Sequence, residues 1–252
     1  MFGAYHNRIL VKYLFRLWLR LRYRLGGRPY RRLVLERIGG IPLIVLPDVF
    51  NPALFRTGAF LAQTLQQNPR SSPGGLQRAL RGWAGREETV TVLDMGTGSG
   101  VGAVFAARLG ARVVAVDVNP EAVRCARLNA LLNRLEDRIE VRQGDLFAPV
   151  ANAQFDLVLF NPPFYRGRPR DDLDRAWRSE DVPERFAAGL GAHLKPEGRA
   201  LVVLSTDGEW PAVLAALEAN GFSAAPLARR NFGNEIITVY SVTHSHSIPF
   251  EV

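Results

Sequence analysis

Asn161-Pro162-Pro163-Phe164 is the stretch of this 252-residue chain whose residue types point most directly to chemistry. It follows Phe155 to Phe160, a nearly all-apolar run that reads as a central strand of a parallel sheet. In an open α/β sheet, ligands bind beyond such a strand end. Two successive prolines fix φ and remove two backbone donors. The side-chain oxygen of Asn161 and the carbonyl of Pro162 are then rigid acceptors for the two N–H bonds of a planar –NH₂ group. Phe164 offers a flat face for stacking a base or an amide. A nitrogen of that kind delocalises its lone pair and is a poor nucleophile. Accepting its protons returns electron density to it and stabilises the positive charge that grows there. Holding it in line with an electrophilic carbon removes an orientational cost that can reach about 7–11 kcal/mol. The competing reading of the same four residues is a rigid turn.

A second cluster precedes this one. Asp94-Met95-Gly96-Thr97-Gly98-Ser99-Gly100 joins a strand pattern to a helix pattern. Bare backbone at Gly96, Gly98 and Gly100 permits positive φ and close approach of a ligand, and the helix start supplies free N–H groups. Gly98-x-Gly100-x-x-Ala103 also satisfies a dinucleotide fingerprint, so a nicotinamide-dependent oxidoreductase is an alternative. Asp94 argues against it: a carboxylate there repels a pyrophosphate and suits the ammonium of a methionine moiety. Asp117, at the end of the next strand, can accept both hydrogen bonds of a ribose diol. Val118 and Asn119 extend this candidate set, and Asn119 also suits the N-cap of the helix opened by Pro120. Asp145 can accept from an adenine amine, with Leu146 or Phe147 flanking the ring. An ordinary strand-end turn is the alternative for these three.

These residues need a scaffold, and the pattern supplies one. Strands at 89–94, 112–117, 139–143, 155–160, 199–205, 222–226 and 236–243 alternate with helices at 100–109, 120–133, 183–193 and 210–220. That order predicts an α/β, Rossmann-like doubly wound sheet, mostly parallel with an antiparallel last strand. Ahead of it, residues 8–25 read as a basic helix, 33–46 as a β-hairpin around Gly39-Gly40, 47–52 as a loop, 57–67 as a helix and 76–84 as a short helix. The expected division is an extension over 1–46 and one domain over 47–252. The charged loop Tyr165–Asp181 adjoins the asparagine motif and suits a lid.

Composition bounds the remainder. The chain carries +8 overall, and residues 1–40 carry +9 from ten basic side chains and Glu36, so the rest is close to neutral. Three readings of the basic segment stand: phosphate contacts on RNA, an anionic membrane surface, or a helix packed on the domain with a solvated arginine face. Arginines interrupt every apolar run there, which disfavours a membrane span or a secretion signal. Cys125 is the one cysteine, so no internal disulfide forms, no cysteine-rich zinc site is expected, and a cytoplasmic compartment fits. His244 and His246 lack a visible third ligand and read as surface residues, and no metal is expected.

From Pro47 to Ser205 the sequence resembles the class I S-adenosylmethionine-dependent methyltransferases. Within them it is similar to N-methylating families with an asparagine-proline-proline-aromatic motif, such as release-factor glutamine methyltransferases and N6-adenine methyltransferases. The resemblance implies S-adenosyl-L-methionine as cofactor: the Asp94–Gly100 loop on its methionine part, Asp117 on its ribose, Asp145 on its adenine. It implies that Asn161–Phe164 hold the target nitrogen, belonging to RNA or to a glutamine-containing protein. The segment from Val49 to Thr57 resembles the gating stretch of those families, with Thr57 near the cofactor. Arg175-Ala176-Trp177 resembles the segment after their catalytic motif. Phe50, Tyr165 and Trp177 are therefore the candidate substrate-binding residues.

Overall fold

A computed structural model describes residues 32–66 and 89–245. The helices expected over 8–25 and 76–84, and His246, lie outside the described residues.

One sheet of seven strands dominates. In chain order its strands are β3 (Thr91–Met95), β4 (Arg112–Asp117), β5 (Ile139–Gln143), β6 (Phe155–Phe160), β9 (Leu194–Ser205), β10 (Phe222–Asn231) and β11 (Ile236–His244). In space they run β10-β11-β9-β6-β3-β4-β5. β3 pairs in parallel with β4 and β6, and the outer parallel pairs are β4–β5 and β6–β9. β11 is antiparallel to both its neighbours, as expected of the last strand. β6 is the middle strand, and every one of its residues is buried. Helices α3 (Val101–Arg108), α4 (Pro120–Leu132), α5 (Val182–His193) and α6 (Trp210–Ala219) connect the strands. Two apolar clusters, one on each face, hold the layers together. This is the doubly wound arrangement the alternating pattern predicts.

Three elements depart from the sequence reading. A short helix, α1 (Pro52–Phe55), precedes α2 (Thr57–Gln66). Asn51 caps it by accepting from the Ala53 and Leu54 amides, at 2.9 and 3.3 Å, and Pro52 opens it. β9 starts five residues before the expected 199 because Lys195–Gly198 bulges without breaking the strand; Leu194 still pairs with Phe155. β10 runs past Pro226 through a register shift between Pro226 and Ala228. A proline on this edge strand removes a donor the sheet does not use.

The hairpin β1 (Val34–Ile38) and β2 (Ile41–Val45) forms as expected, with Ile38 opposite Ile41. It does not stand apart. Ile38, Ile41 and Leu43 are buried in the same cluster as Phe105 and Val113. Asn129 of α4 pins the hairpin: its Oδ1 accepts from Ile44 N at 2.7 Å, and its Nδ2 donates to Ile44 O at 2.6 Å and to Ser99 O at 2.8 Å. Asn129 is fully buried, so Asn129→Ala removes its bonds to Ile44 N and Ser99 O and leaves Ile44 O with the weak Cys125 thiol donor. The expected cost is about 2–4 kcal/mol, read as a lower denaturant midpoint at unchanged slope. A loss under 0.5 kcal/mol would mean the hairpin is held by apolar contact alone.

Candidate active site

A cavity of about 280 Å³ opens at the C-terminal ends of β3, β4, β5 and β6. It lies where β3 sends one connection towards β4 while β6 pairs on its other side, the switch point at which doubly wound sheets bind ligands. Gly96, Thr97, Gly98 and Ser99 line it, with Asp94 behind them. Gly96 and Gly98 have φ of +63° and +55°, and a side chain at either would meet nothing within 4 Å. The loop thus needs glycine for its backbone shape and presents bare surface to the cavity. Gly100 departs from its expected ligand role. It is absent from the cavity wall, and its φ of +79° sets it against α4, where an added Cβ would lie 3.0 Å from Ala126 Cα.

Two carboxylates brace this loop. Asp94 Oδ2 accepts from Thr97 Oγ1 at 2.6 Å and from Ala103 N at 2.8 Å, while its Oδ1 makes no hydrogen bond among the described residues. Gly102 must be glycine to admit that group: a Cβ there would stand 2.6 Å from Asp94 Oδ1. Burial pushes the Asp94 carboxyl up to about 6, against the pull of Thr97 and the Ala103 amide. Asp117 Oδ2 accepts from Gly98 N at 2.8 Å and Oδ1 from Asn119 N at 2.9 Å. Its carboxyl is also raised by burial. Each oxygen has a second lone pair, so these bonds leave capacity for a ligand. Asn119 is the cap of α4, accepting from Glu121 N at 2.9 Å, and it ties Asp48 O to the site at the same distance.

Val118, Asp145 and Leu146 line the far end of the cavity. Asp145 carries an ion pair with Arg185 of α5 that its sequence position did not announce. Leu146 takes φ +47°, a conformation costly for a branched residue, and faces the cavity. Phe147 corrects the sequence reading. It is buried away from the cavity, stacked on His193 at 4.4 Å and on Phe186 at 5.6 Å, and it fills the space over Gly189. Leu146 and Val118, not Phe147, are the apolar side chains lining the cavity beside Asp145.

The asparagine motif reaches the cavity from β6. Asn161 and Pro163 line it, and Pro162 is buried beneath. Asn161 Oδ1 is buried without a hydrogen-bond partner among the described residues. Unsatisfied buried acceptors are rare in native proteins, and this one sits at a cavity wall. Phe164 is not part of that wall. It is half-buried, edge-on to Tyr165 at 6.3 Å, and its carbonyl accepts from Glu209 N at 3.0 Å. Tyr165 pairs with Arg178 in a small parallel ribbon, β7 (Tyr165–Arg166) and β8 (Arg178–Ser179), that gives the expected lid loop a folded base. Thr57 is buried with its hydroxyl unpartnered, one residue from Gly58 in the cavity wall.

Phe50 and Trp177, far apart in sequence, meet at 5.6 Å. Phe55 completes the cluster at 4.8 Å from Phe50 and 5.0 Å from Trp177. The sequence reading missed Phe55. The signal was its place one helical turn after the Asn51 cap, which turns it towards Phe50.

The charge lining the cavity is lopsided. Asp48, Asp94, Asp117, Asp145, Asp172, Glu180 and Asp181 face three arginines, Arg175, Arg178 and Arg185. Such a cavity favours a cationic ligand and opposes a pyrophosphate. A sulfonium carrying an ammonium and an adenosine fits these donors and acceptors, whereas a dinucleotide does not. Among the described residues no group of three His, Cys, Asp or Glu side chains is placed to hold a metal. Cys125 is buried, its thiol pushed up to about 11, and it contacts Ile44 O at 3.3 Å.

Sheet order and cavity together define a Rossmann-like domain with an electronegative, nucleoside-sized site at its switch point. The chain belongs to the methyltransferase small domain family, which matches residues 80–225. It is 32% identical over 143 residues to the tRNA1(Val) (adenine(37)-N6)-methyltransferase of Porphyromonas gingivalis, covering 51% of this chain and 56% of that protein. It is 35% identical over 155 residues to the release factor glutamine methyltransferase of Koribacter versatilis, covering 55% of each. The chain spans about half the length of these curated relatives. The fold is shared with the T. thermophilus 16S rRNA N2 G1207 methyltransferase, solved with AdoMet and guanosine: TM-score 0.58, 23% identity, 83% of this chain and 50% of that one.

Proposed function

We propose that this chain is an S-adenosylmethionine-dependent N-methyltransferase acting on a planar nitrogen of a macromolecule, either adenine N6 of RNA or a glutamine side-chain amide of a protein. The observation that carries the reading is the buried, unpartnered Oδ1 of Asn161 at the wall of an electronegative cavity. An acceptor in that state lacks a donor, and an amine or amide –NH₂ supplies one. Relatives of both substrate kinds support the two acceptors named.

S-adenosylmethionine supplies an electrophilic methyl carbon on a sulfonium. The residues of the chain hold and orient. Asp94, Gly96, Thr97, Gly98 and Ser99 receive the amino-acid end, with Thr57 behind the reacting centre. Asp117, with Val118 and Asn119 beside it, receives the ribose; Asp145 and Leu146 receive the adenine. Asn161 Oδ1 and the Pro162 carbonyl accept the N–H bonds of the target, and Pro163 keeps that geometry stiff. Phe50, Tyr165 and Trp177 steady the substrate at the mouth. The nitrogen would gain the methyl as the methyl's bond to the sulfonium sulfur breaks, leaving a neutral thioether, and would release one proton to solvent, so no histidine base is needed. Residues 47–252 form the catalytic domain, on which the hairpin packs. A cytoplasmic setting agrees with the single, buried cysteine; among the described residues no helix is long and apolar enough to cross a membrane.

The test is transfer of labelled methyl from the cofactor into fractionated RNA and protein of cells lacking this chain. Label in either fraction supports the reading. Label in neither, with the cofactor demonstrably bound, ends it.

A further inference from the structure

Across the mouth, five arginines of the lid side are paired, Arg166 with Glu184, Arg170 and Arg178 with Asp174, Arg175 with Asp172, and Arg185 with Asp145, while the exposed Arg168 forms no salt bridge among the described residues. On the opposite side two arginines share one aromatic ring. Arg56 stands between α1 and α2 with its guanidinium carbon 4.8 Å from the centre of the Phe232 ring. Arg230, exposed on edge strand β10, holds its own 5.1 Å from the same ring. Neither makes a salt bridge among the described residues. Glu235 lies within the electrostatic reach of Arg56 without forming a salt bridge to it, and its carboxylate accepts from Ser205 Oγ at 2.6 Å.

Two like charges gathered on one phenyl ring repel each other unless an anion lies near them. The backbone at Arg56 is also strained, at φ +58°, ψ −35°, which a non-glycine residue adopts at a cost. Phe55, its chain neighbour, belongs to the aromatic cluster whose member Phe50 lines the cavity. Aromatic faces therefore run from the cavity mouth to two arginines that form no salt bridge among the described residues. Stacking platforms followed by phosphate-binding arginines are what single-stranded nucleic acid requires, whereas a glutamine-bearing peptide has no regular charge to match them.

The geometry points to RNA as the methyl acceptor, with the target base in the cavity, a neighbouring base on Phe55 and Trp177, and the flanking phosphates on Arg56 and Arg230. This rests on the methyltransferase reading above. The acidic cavity then has a second consequence: it repels phosphates and admits only the base.

The probe is a fluorescein-labelled single-stranded RNA of about 20 nucleotides, titrated against the full chain at several salt concentrations. Arg56→Ala/Arg230→Ala is expected to weaken binding about tenfold and to flatten the slope of log affinity against log salt by about 1.4, roughly 0.7 for each lost phosphate contact. Phe232→Leu, which keeps both charges and removes their shared platform, should weaken binding a few-fold at nearly unchanged slope. Affinity for S-adenosylmethionine, measured in parallel, should stay within two-fold (about 0.4 kcal/mol) and reports an intact fold. An unchanged slope and affinity in the double variant overturns the proposal. So does labelled methyl appearing in protein and not in RNA, which leaves the methyltransferase reading standing. Label in neither fraction, with RNA binding still dependent on the two arginines, sinks methyl transfer and keeps the RNA surface.

Discussion

Asn161→Ala should lower turnover by two to four orders of magnitude and leave the affinity for S-adenosylmethionine within a few-fold of the starting protein. The physical case is one of division of labour. Removing a preorganised acceptor that meets the growing positive charge costs about 2.7–4 kcal/mol of transition-state stabilisation, a factor of about 10²–10³, and misplacing the target nitrogen adds to it. The variant forfeits no structural hydrogen bond through Oδ1, which has no partner among the described residues. The melting temperature should therefore hold or rise slightly. Steady-state kinetics with saturating cofactor, together with cofactor titration by calorimetry, separates the two quantities. Equal loss of turnover and cofactor affinity would show that Asn161 belongs to the cofactor pocket and that the motif does not hold the acceptor.

Asp94→Asn is expected to do the reverse, stabilising the cofactor-free protein while weakening the cofactor about 10–100-fold. Loss of one charge-assisted contact of about 1.5–3 kcal/mol gives that factor. The stability sign follows from burial. With its carboxyl at about 6, above the ordinary carboxylate value, the folded protein binds more protons than the unfolded chain between about pH 4 and 6. The contribution of Asp94 to stability is complete below that window and is lost as pH rises through it. At pH 7.5 the empty site thus carries a buried charge at a cost of about 2–3 kcal/mol, part of which the neutral amide removes. The ammonium of the cofactor offsets the same cost in the starting protein. Its affinity should fall as pH drops from 7 to 5, through protonation of the Asp94 carboxyl. The variant should lose that Asp94 dependence. A variant that melts earlier at pH 7.5 and binds cofactor normally would reduce Asp94 to a strut for Thr97 and Ala103.

Most of what positions the site could be read from residue order. β6 announced its central place because all six of its residues are buried on both faces, and that demands an unbroken apolar run. Asp94, Asp117 and Asn161 were legible because each ends such a strand, and strand ends converge at a switch point whatever the loops do. Side-chain direction was less legible. Phe147 follows Asp145 by two, yet the 3₁₀ turn at Ala148–Val150 and the space over Gly189 draw it under α5. Gly100 matched a ligand-loop pattern, but its need for glycine comes from Ala126 on a helix still to be placed. Phe55 and Arg56 escaped notice because their partners, Trp177 and Phe232, are brought to them by tertiary folding. Contacts of that kind carry no local periodicity for a sequence to display.

The carboxamide of Asn129 touches two backbones at once, Ile44 in the hairpin and Ser99 in the glycine loop. Mechanically, that makes the hairpin a brace clamped to the floor of the pocket. A protease that nicks the exposed Gly39-Gly40 turn would loosen one arm of the clamp, and the damage would register as weaker ligand retention on the far side of α4. Fusions, truncations and affinity tags placed within residues 34–45 therefore risk crippling a protein whose strands and helices remain intact.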